Sequence, residues 1–376
     1  MSGLALAEVL ASLGRTRCTV YARSLSDHVL QIYTGLYLLH AAGFIELRQR
    51  FGARALRDRL GRPPLAEKLV AGDLNGLFVD IDGVGLVFFD VRDGANSYGE
   101  LAGRVALYAK RSYRRGAYPS PEKFMPMGLN YAVHPDRTLR HELARSFRQL
   151  GRSGLAAKRL AISLARLHPS VGRLLDVPTV STLSGPVERD LAPRAIFLAR
   201  TWDPGEIATS PAEAEFVRGL NESRAACIRA LRERFGARFF GGFSRSAHAV
   251  QHYPDCVVGP EVSTRRHDYV KRLRSYPVCV ATTGLFESIG WKFAEYVALS
   301  RAIVSEPMSF ELPGPMAAGE NYLEFRSAEE CGDRVGALLE DRELALRMME
   351  NNRRYYVEYG APDAVVGRVL HAAITG

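Results

Sequence analysis

The 376-residue chain has only five cysteines, Cys18, Cys227, Cys256, Cys279 and Cys331, and no Cys-x-x-Cys pair. An odd, scattered set excludes a disulfide framework or a zinc ribbon and predicts a reducing, cytoplasmic setting. No apolar run approaches the roughly 18–20 residues that a membrane span requires. The amino-terminal MSGLALAEVLASLG lacks a basic segment, so it reads as a short amphipathic helix rather than a secretory signal. There is no repeat and no low-complexity tract, and His and Cys spacing nowhere suggests a metal site. What remains is ordinary globular composition, 47% hydrophobic and 24% charged, at about twice the usual domain length. Two domains are expected.

Acidic residues are scarce in one half only. Residues 1–190 hold 27 Lys/Arg against 17 Asp/Glu, whereas residues 191–376 hold 23 against 24. That asymmetry points to an anionic partner for the first half: a membrane surface, a phosphorylated acceptor or nucleic acid. The excess is densest over 137–173, where Arg137, Arg140, Arg145, Arg148, Arg152, Lys158, Arg159, Arg166 and Arg173 face only Glu142. Leu139, Leu143, Phe147 and Leu150, and then Leu160, Leu164 and Leu167, recur at helical spacing. They predict two helices packing by their apolar stripes, with a break near Gly151 and Gly154. A basic helix pair of this kind suits either a solvated surface or the inner face of an anionic membrane.

The most informative stretch is 277–308. Pro277 to Thr283 is a short β-branched run that predicts a buried strand. Gly284 to Gly290 predicts a loop leading to a helix start. Trp291 to Ser300 is helical by pattern, with Ile289, Phe293 and Val297 on one face, and Ala302 to Ser305 is a second buried strand. Strand, loop, helix, strand is the unit of an open parallel sheet, which binds ligands at the carboxyl ends of its strands. Glu287, Ser288, Ile289 and Gly290 lie where a helix start offers backbone N–H groups to a phosphate. Lys292 and Glu295, three apart, are expected on the face away from the apolar stripe.

Glu287, Gly290 and Glu295 fall on a Glu-x7-Glu pattern. With SIGWKFAEYVALSRAIV, GENYLEF and the long helical tail, the stretch from about Ile196 to Tyr359 resembles the Glu-x7-Glu clan of GT-B glycosyltransferases, of bacterial polysaccharide and natural-product type. The resemblance implies an α/β fold of two Rossmann-like domains facing across a cleft, 1–190 on the acceptor side and 191–376 on the nucleotide-sugar side. The proline-bearing segment 174–193 is the expected linker. The last helix, Asp363 to Ala373, is expected to cross back to the first domain. The implied activity is transfer of a sugar from a nucleoside-diphosphate sugar to a glycan, lipid-linked or small-molecule acceptor, with retention and with no metal or other cofactor. Glu295 would hold the ribose and Glu287 the sugar near its reacting carbon. Arg200 matches the first basic position of the family's Arg-x4-Lys motif, but Gly205 stands where the lysine belongs, and Lys292 is the candidate replacement. Gly242, ending a strand in Gly241-Gly242, is a further candidate for close approach of backbone to the donor.

In the first half, Cys18 to Arg23, Val29 to Ala42 and Phe44 to Leu47 read as strand, helix and strand. Ser26, Asp27 and His28 lie in the loop after the first strand, His28 and Asp27 as candidate catalytic groups and Ser26 as an acceptor contact or helix cap. Lys110 and Arg111 open a basic, aromatic segment and are candidate acceptor-binding residues. Asp80-x-Asp82 imitates a metal-binding Asp-x-Asp, but Asp82-Gly83 between two apolar runs is better read as a hairpin turn. Two other readings stay open: a nucleotide-sugar epimerase of the same fold, and a non-catalytic binder of anionic polymer. Nucleic acid itself is not expected, because the Glu-x7-Glu unit has no role in binding it.

Overall fold

The computed structural model describes residues 4–22, 24, 26–61, 75–150, 154–168, 177–263 and 265–376. Arg23, Gly151, Arg152, Arg173 and residues 174–176 of the expected linker lie outside these. The chain forms two compact units. The first comprises Met1–Leu183, Phe310–Gly314 and Tyr356–Gly376, and the second Ser184–Ser309 and Pro315–Tyr355.

Unit 1 is built on a six-stranded sheet of order β2-β1-β3-β4-β5-β6. Its strands are β1 (Thr16–Tyr21), β2 (Ile45–Arg50), β3 (Gly76–Ile81), β4 (Gly85–Asp90), β5 (Leu107–Lys110) and β6 (Phe124–Pro126). β1, helix α1 (Leu30–Ala41) and β2 form a parallel βαβ unit, as the apolar runs on either side of the Ser24–His28 loop predict. The sheet is not wholly parallel: β3 runs antiparallel to both neighbours. The cause is local. Asp82-Gly83, with Gly83 at φ +80°, turns the chain straight back into β4. Asp80 is paired with Arg59 and Asp82 with Arg17, so both aspartates serve surface ion pairs.

Helix α1 is buried along almost its whole length, on one side by Val20, Ile45, Leu47 and Val79 and on the other by the C-terminal helix Pro362–Thr375. Gly35 permits that second contact, since a Cβ there would lie 2.1 Å from the Pro362 carbonyl oxygen. The opposite face of the sheet carries an aromatic layer in which Tyr118, Phe124 and Tyr108 stack at 4.1 and 4.4 Å between ring centres. Helices α2 (Arg140–Arg148) and α3 (Gly154–Ala165) complete this unit among the elements used below.

Unit 2 has a fully parallel five-stranded sheet of order β11-β10-β9-β7-β8. The strands are β7 (Ala195–Ala199), β8 (Phe239–Phe243), β9 (Val278–Ala281), β10 (Ala302–Ser305) and β11 (Leu323–Glu324). Between them run α4 (Pro211–Phe235), α5 (Arg266–Leu273) and α6 (Trp291–Ala298), and after them α7 (Ala328–Glu340) and α8 (Arg342–Tyr355). β7, β9 and β10 are wholly buried, which explains their continuous apolar sequences. The chain leaves β7 for β8 on one side and then returns to the other side for β9. The order therefore reverses between β7 and β9, and the carboxyl ends of those two strands are where a doubly wound sheet opens a ligand crevice.

Among the described residues all five cysteines are buried and free, and no helix is long and apolar enough to cross a membrane.

Candidate functional site

Three strands of unit 2 end at the reversal. β7 runs out into Arg200-Thr201-Trp202, β9 into Thr282-Thr283 and β10 into Glu306. One buried side chain of α4 ties two of them together. Arg224 donates from Nη1 to the Arg200 carbonyl (2.8 Å), from Nε to Thr282 Oγ1 (3.0 Å) and from Nη2 to the Thr283 carbonyl (2.8 Å). One turn earlier, fully buried Asn221 holds both the N–H and the carbonyl of Trp202, at 3.0 and 2.7 Å. Glu306 accepts from the Thr283 N–H and hydroxyl, at 2.7 and 2.8 Å, and from Ser223. These polar side chains of α4 are thus an internal brace for the loops.

A cluster of cations surrounds this frame. Lys292, in the first turn of α6, donates to the Leu198 carbonyl near the end of β7 and sits 4.6 Å over the Tyr269 ring. Burial, added to by the fields of Arg224, Arg200 and Arg266, lowers its ammonium from 10.5 to about 8. Burial likewise pushes Arg224 down to about 10. The exposed Arg200 guanidinium lies 3.8 Å over the Trp202 ring. Glu295 is the buried anion of the group, 2% exposed, with Oε1 2.6 Å from an Arg266 Nη of α5. Burial raises its pKa, while Arg266 and Lys292 pull it back toward the charged form. Glu295 is therefore not on an open face of α6 but enclosed with Arg266, Tyr269 and Lys292.

The loop from β9 to α6 is tightly wound. The Gly284 N–H donates to the Ser288 carbonyl (2.7 Å) and the Ser288 N–H to the Leu285 carbonyl (3.1 Å). A Cβ on Gly284 would lie 2.6 Å from Ser288 Oγ, which accounts for the glycine. Phe286 and Glu287 are both left-handed, at φ +54° and +59°, and both exposed. Two consecutive non-glycine residues in this region are costly, and such strain concentrates at functional loops. The buried Ser288 thus spends its N–H inside the loop. Gly290 stands as N-cap of α6 with no side-chain cap, and Ile289 is half-buried beside it. Gly242 pairs in register with Leu198, whose carbonyl accepts from Lys292. A Cβ on Gly242 would come within 2.5 Å of the Cys256 carbonyl, so packing against the Cys256–Val258 segment explains its small size.

In unit 1, Ser26, Asp27 and His28 stand beyond the carboxyl end of β1. Ser26 Oγ accepts from the His28 N–H as a cap, Asp27 is ion-paired to Arg159 at 2.5 Å, and the His28 carbonyl accepts from Asn130. Lys110 and Arg111 are internal rather than solvated. Lys110 is wholly buried, 3.4 Å from Asp90 and lowered by burial to about 8, and Arg111 pairs with Asp93 at 2.7 Å. No group of three or more His, Cys, Asp or Glu able to hold a metal occurs among the described residues.

No family model and no curated protein matches the sequence. Solved structures do match. The C-terminal domain of a group 1 glycosyl transferase family protein (LpcC) from Francisella tularensis is 12% identical over 47% of this chain and 95% of its own, with a TM-score of 0.31. HepE of Anabaena, solved with UDP and glucose, is 10% identical over 74% of this chain and 65% of its own, with a TM-score of 0.40. A Listeria monocytogenes structure described as a UDP-N-acetylglucosamine 2-epimerase is 11% identical over 98% of this chain and 79% of its own, with a TM-score of 0.36. Two other matches, TarM and a sucrose-phosphate synthase, are covered over 36% and 64% of their own length. The chain is thus similar to GT-B glycosyltransferases, at TM-scores below 0.5.

Proposed function

We propose that the chain is a glycosyltransferase that moves a sugar from a nucleoside-diphosphate sugar to a glycan, lipid-linked or small-molecule acceptor. The observation that carries this reading is the placement of Arg200, Arg224, Lys292 and Arg266 around the carboxyl ends of β7 and β9, at the reversal of strand order. Four cations gathered about two carboxylates, buried Glu295 and half-buried Glu306, leave an excess of positive charge. A diphosphate would balance them, and it gains negative charge as the glycosidic bond to it breaks. Arg200 and Lys292 take the diphosphate in this reading, and Lys292 replaces the lysine missing at Gly205. Arg224 holds the loops that carry them. Arg266 opposes the effect of burial on Glu295 and so favours the carboxylate form, which can accept from ribose hydroxyls. Glu287, on its strained exposed loop, faces the sugar. Ser26, Asp27 and His28 belong to the acceptor side. Charge neutralisation by these side chains makes the reaction metal-independent, so chelator should leave turnover unchanged. The similarity to the Glu-x7-Glu clan favours retention of configuration.

Titration calorimetry with bare nucleoside diphosphates tests the assignment, after a thermal-shift panel of UDP, GDP, ADP, TDP and CMP has selected the base. Losing a charged hydrogen bond costs about 1.5–3 kcal/mol, so Glu295→Ala should weaken nucleotide binding on the order of tenfold to a hundredfold. Glu287→Ala should keep nucleotide affinity and lower kcat. The opposite pattern would overturn the two roles, and conversion of the donor into its epimer without acceptor would overturn transfer.

A further inference from the structure

Helices α2 and α3 are amphipathic in the reverse of the expected sense. Glu142, Arg145, Ser146 and Gln149 recur at helical spacing and are all buried. Arg159, Ser163 and Arg166 form the matching stripe along α3 and its closing turn. These polar stripes face the body of unit 1. Arg145 lies 4.0 Å over the Tyr33 ring, Gln149 donates to the Ala22 carbonyl, Arg159 pairs with Asp27, and Arg166 reaches Glu142 at 2.7 Å. Ser146 and Ser163 meet at 3.1 Å between the helices.

Part of each apolar stripe consequently points outward, while Leu139 packs on the core of unit 1 and Leu143 and Leu160 are half-buried. Phe147 is 65% exposed, Leu150 40%, Leu164 51% and Leu167 54%. Arg137, Arg140, Arg148 and Lys158 are exposed on the same two helices and their flanks. Glu142, the only acid in residues 137–168, is buried, and exposed Asp136 beside Arg137 accepts from the Ser181 N–H, so this face shows solvent mainly apolar groups and cations.

We propose that the α2–α3 face of unit 1 docks on an anionic lipid surface, its four apolar side chains entering the boundary of the acyl region and its cations meeting headgroup phosphates. An interfacial helix needs those two contributions together. A second copy of the chain fits poorly, because a two-fold contact through this face would set its arginines and lysine against themselves. A nucleic acid would use the cations but leave four exposed apolar side chains without a role. The inference is independent of the chemistry in unit 2.

Co-sedimentation of the full chain with phosphatidylcholine vesicles, with and without phosphatidylglycerol, is the test. Anionic vesicles should bind at least about tenfold more strongly at low salt, and the difference should shrink as salt rises. Phe147→Ser with Leu164→Ser should lower that binding by about tenfold or more with little change in Tm, both side chains being exposed. Should the serine variant not fold, Arg148→Glu with Lys158→Glu carries the same expectation. Equal binding to both vesicles, unchanged binding by the variants, or a concentration-dependent dimer that the serine variant abolishes would each overturn the proposal.

Discussion

Lys292 offers the sharpest test of the proposed diphosphate site, because its charge is poised near working pH. Burial lowers its pKa in the folded chain from 10.5 to about 8. With the folded value depressed below the unfolded one, the unfolded chain binds more protons between those limits. Stability contributed by this group therefore rises as pH climbs from 8 toward 10.5. Below pH 8 the charged lysine costs the fold up to about 3 kcal/mol, less whatever solvent screens. A bound diphosphate reverses the balance by stabilising the ammonium. The nucleotide's own last ionisation lies at about 6, so near pH 8 its charge is constant. Binding should then take up a proton at Lys292, and affinity should fall by up to tenfold per pH unit above 8. Titrating the nucleoside diphosphate that the thermal-shift panel selects, at pH 7, 8 and 9 in two buffers of different ionisation heat, measures both effects. Lys292→Met should weaken binding about tenfold to a hundredfold at pH 7 and flatten the pH slope. Lys110, also lowered to about 8, titrates in the same window, so the decisive quantity is the difference between wild type and variant. Identical slopes in the two, or no proton uptake at pH 8, would refute the role given to Lys292.

Two further outcomes follow from the frame of the site. Arg224→Met removes three hydrogen bonds and leaves the Arg200 and Thr283 carbonyls without that donor, so it should cost about 3–5 kcal/mol in urea denaturation. A change below about 1 kcal/mol would show that the loops do not depend on it. Glu287→Gly relieves a left-handed residue and should stabilise by about 1 kcal/mol, raising Tm by about 2–4 °C, while kcat falls. A fall in Tm would show that the φ of +59° is not the cost assigned to it.

Much of unit 2 was legible because its signals are local. The β-branched runs at Val278–Ala281 and Ala302–Ser305 and the glycines between them are sufficient for strand, loop and helix. The brace was not legible, because Arg224 acts on Thr282 and Thr283, nearly sixty residues away in sequence. A polar pair three apart on a long helix looks the same whether it meets water or a loop. Glu306 carried a usable signal, standing directly after a strand end where such sheets concentrate function. Arg266 and Tyr269 carried none, since nothing in their own stretch shows that α5 encloses Glu295.

The helix pair of unit 1 shows what periodicity leaves open. Spacing identifies that α2 and α3 have one polar and one apolar stripe each, and it does not say which turns inward. The usual expectation follows transfer energies: leucines in, arginines out. Here the inner stripe finds partners for its charges, since Arg159 meets Asp27 and Arg166 meets Glu142, which also meets His134 at 2.9 Å. A paired and hydrogen-bonded charge can be buried where an isolated one cannot. The partners come from the β1–α1 loop, from the His134 segment and from α2 itself, places no helical wheel of α3 includes. The same pairing corrects the meaning of the basic excess. Lys110, Arg111, Arg145, Arg159 and Arg166 all lie inside unit 1, so the charge that reaches a partner is smaller and more localised than the composition implies. Part of what remains outside is the Arg137–Lys158 set around Phe147 and Leu164, which puts the anionic partner of this half, if lipid, at one defined face rather than over the whole surface.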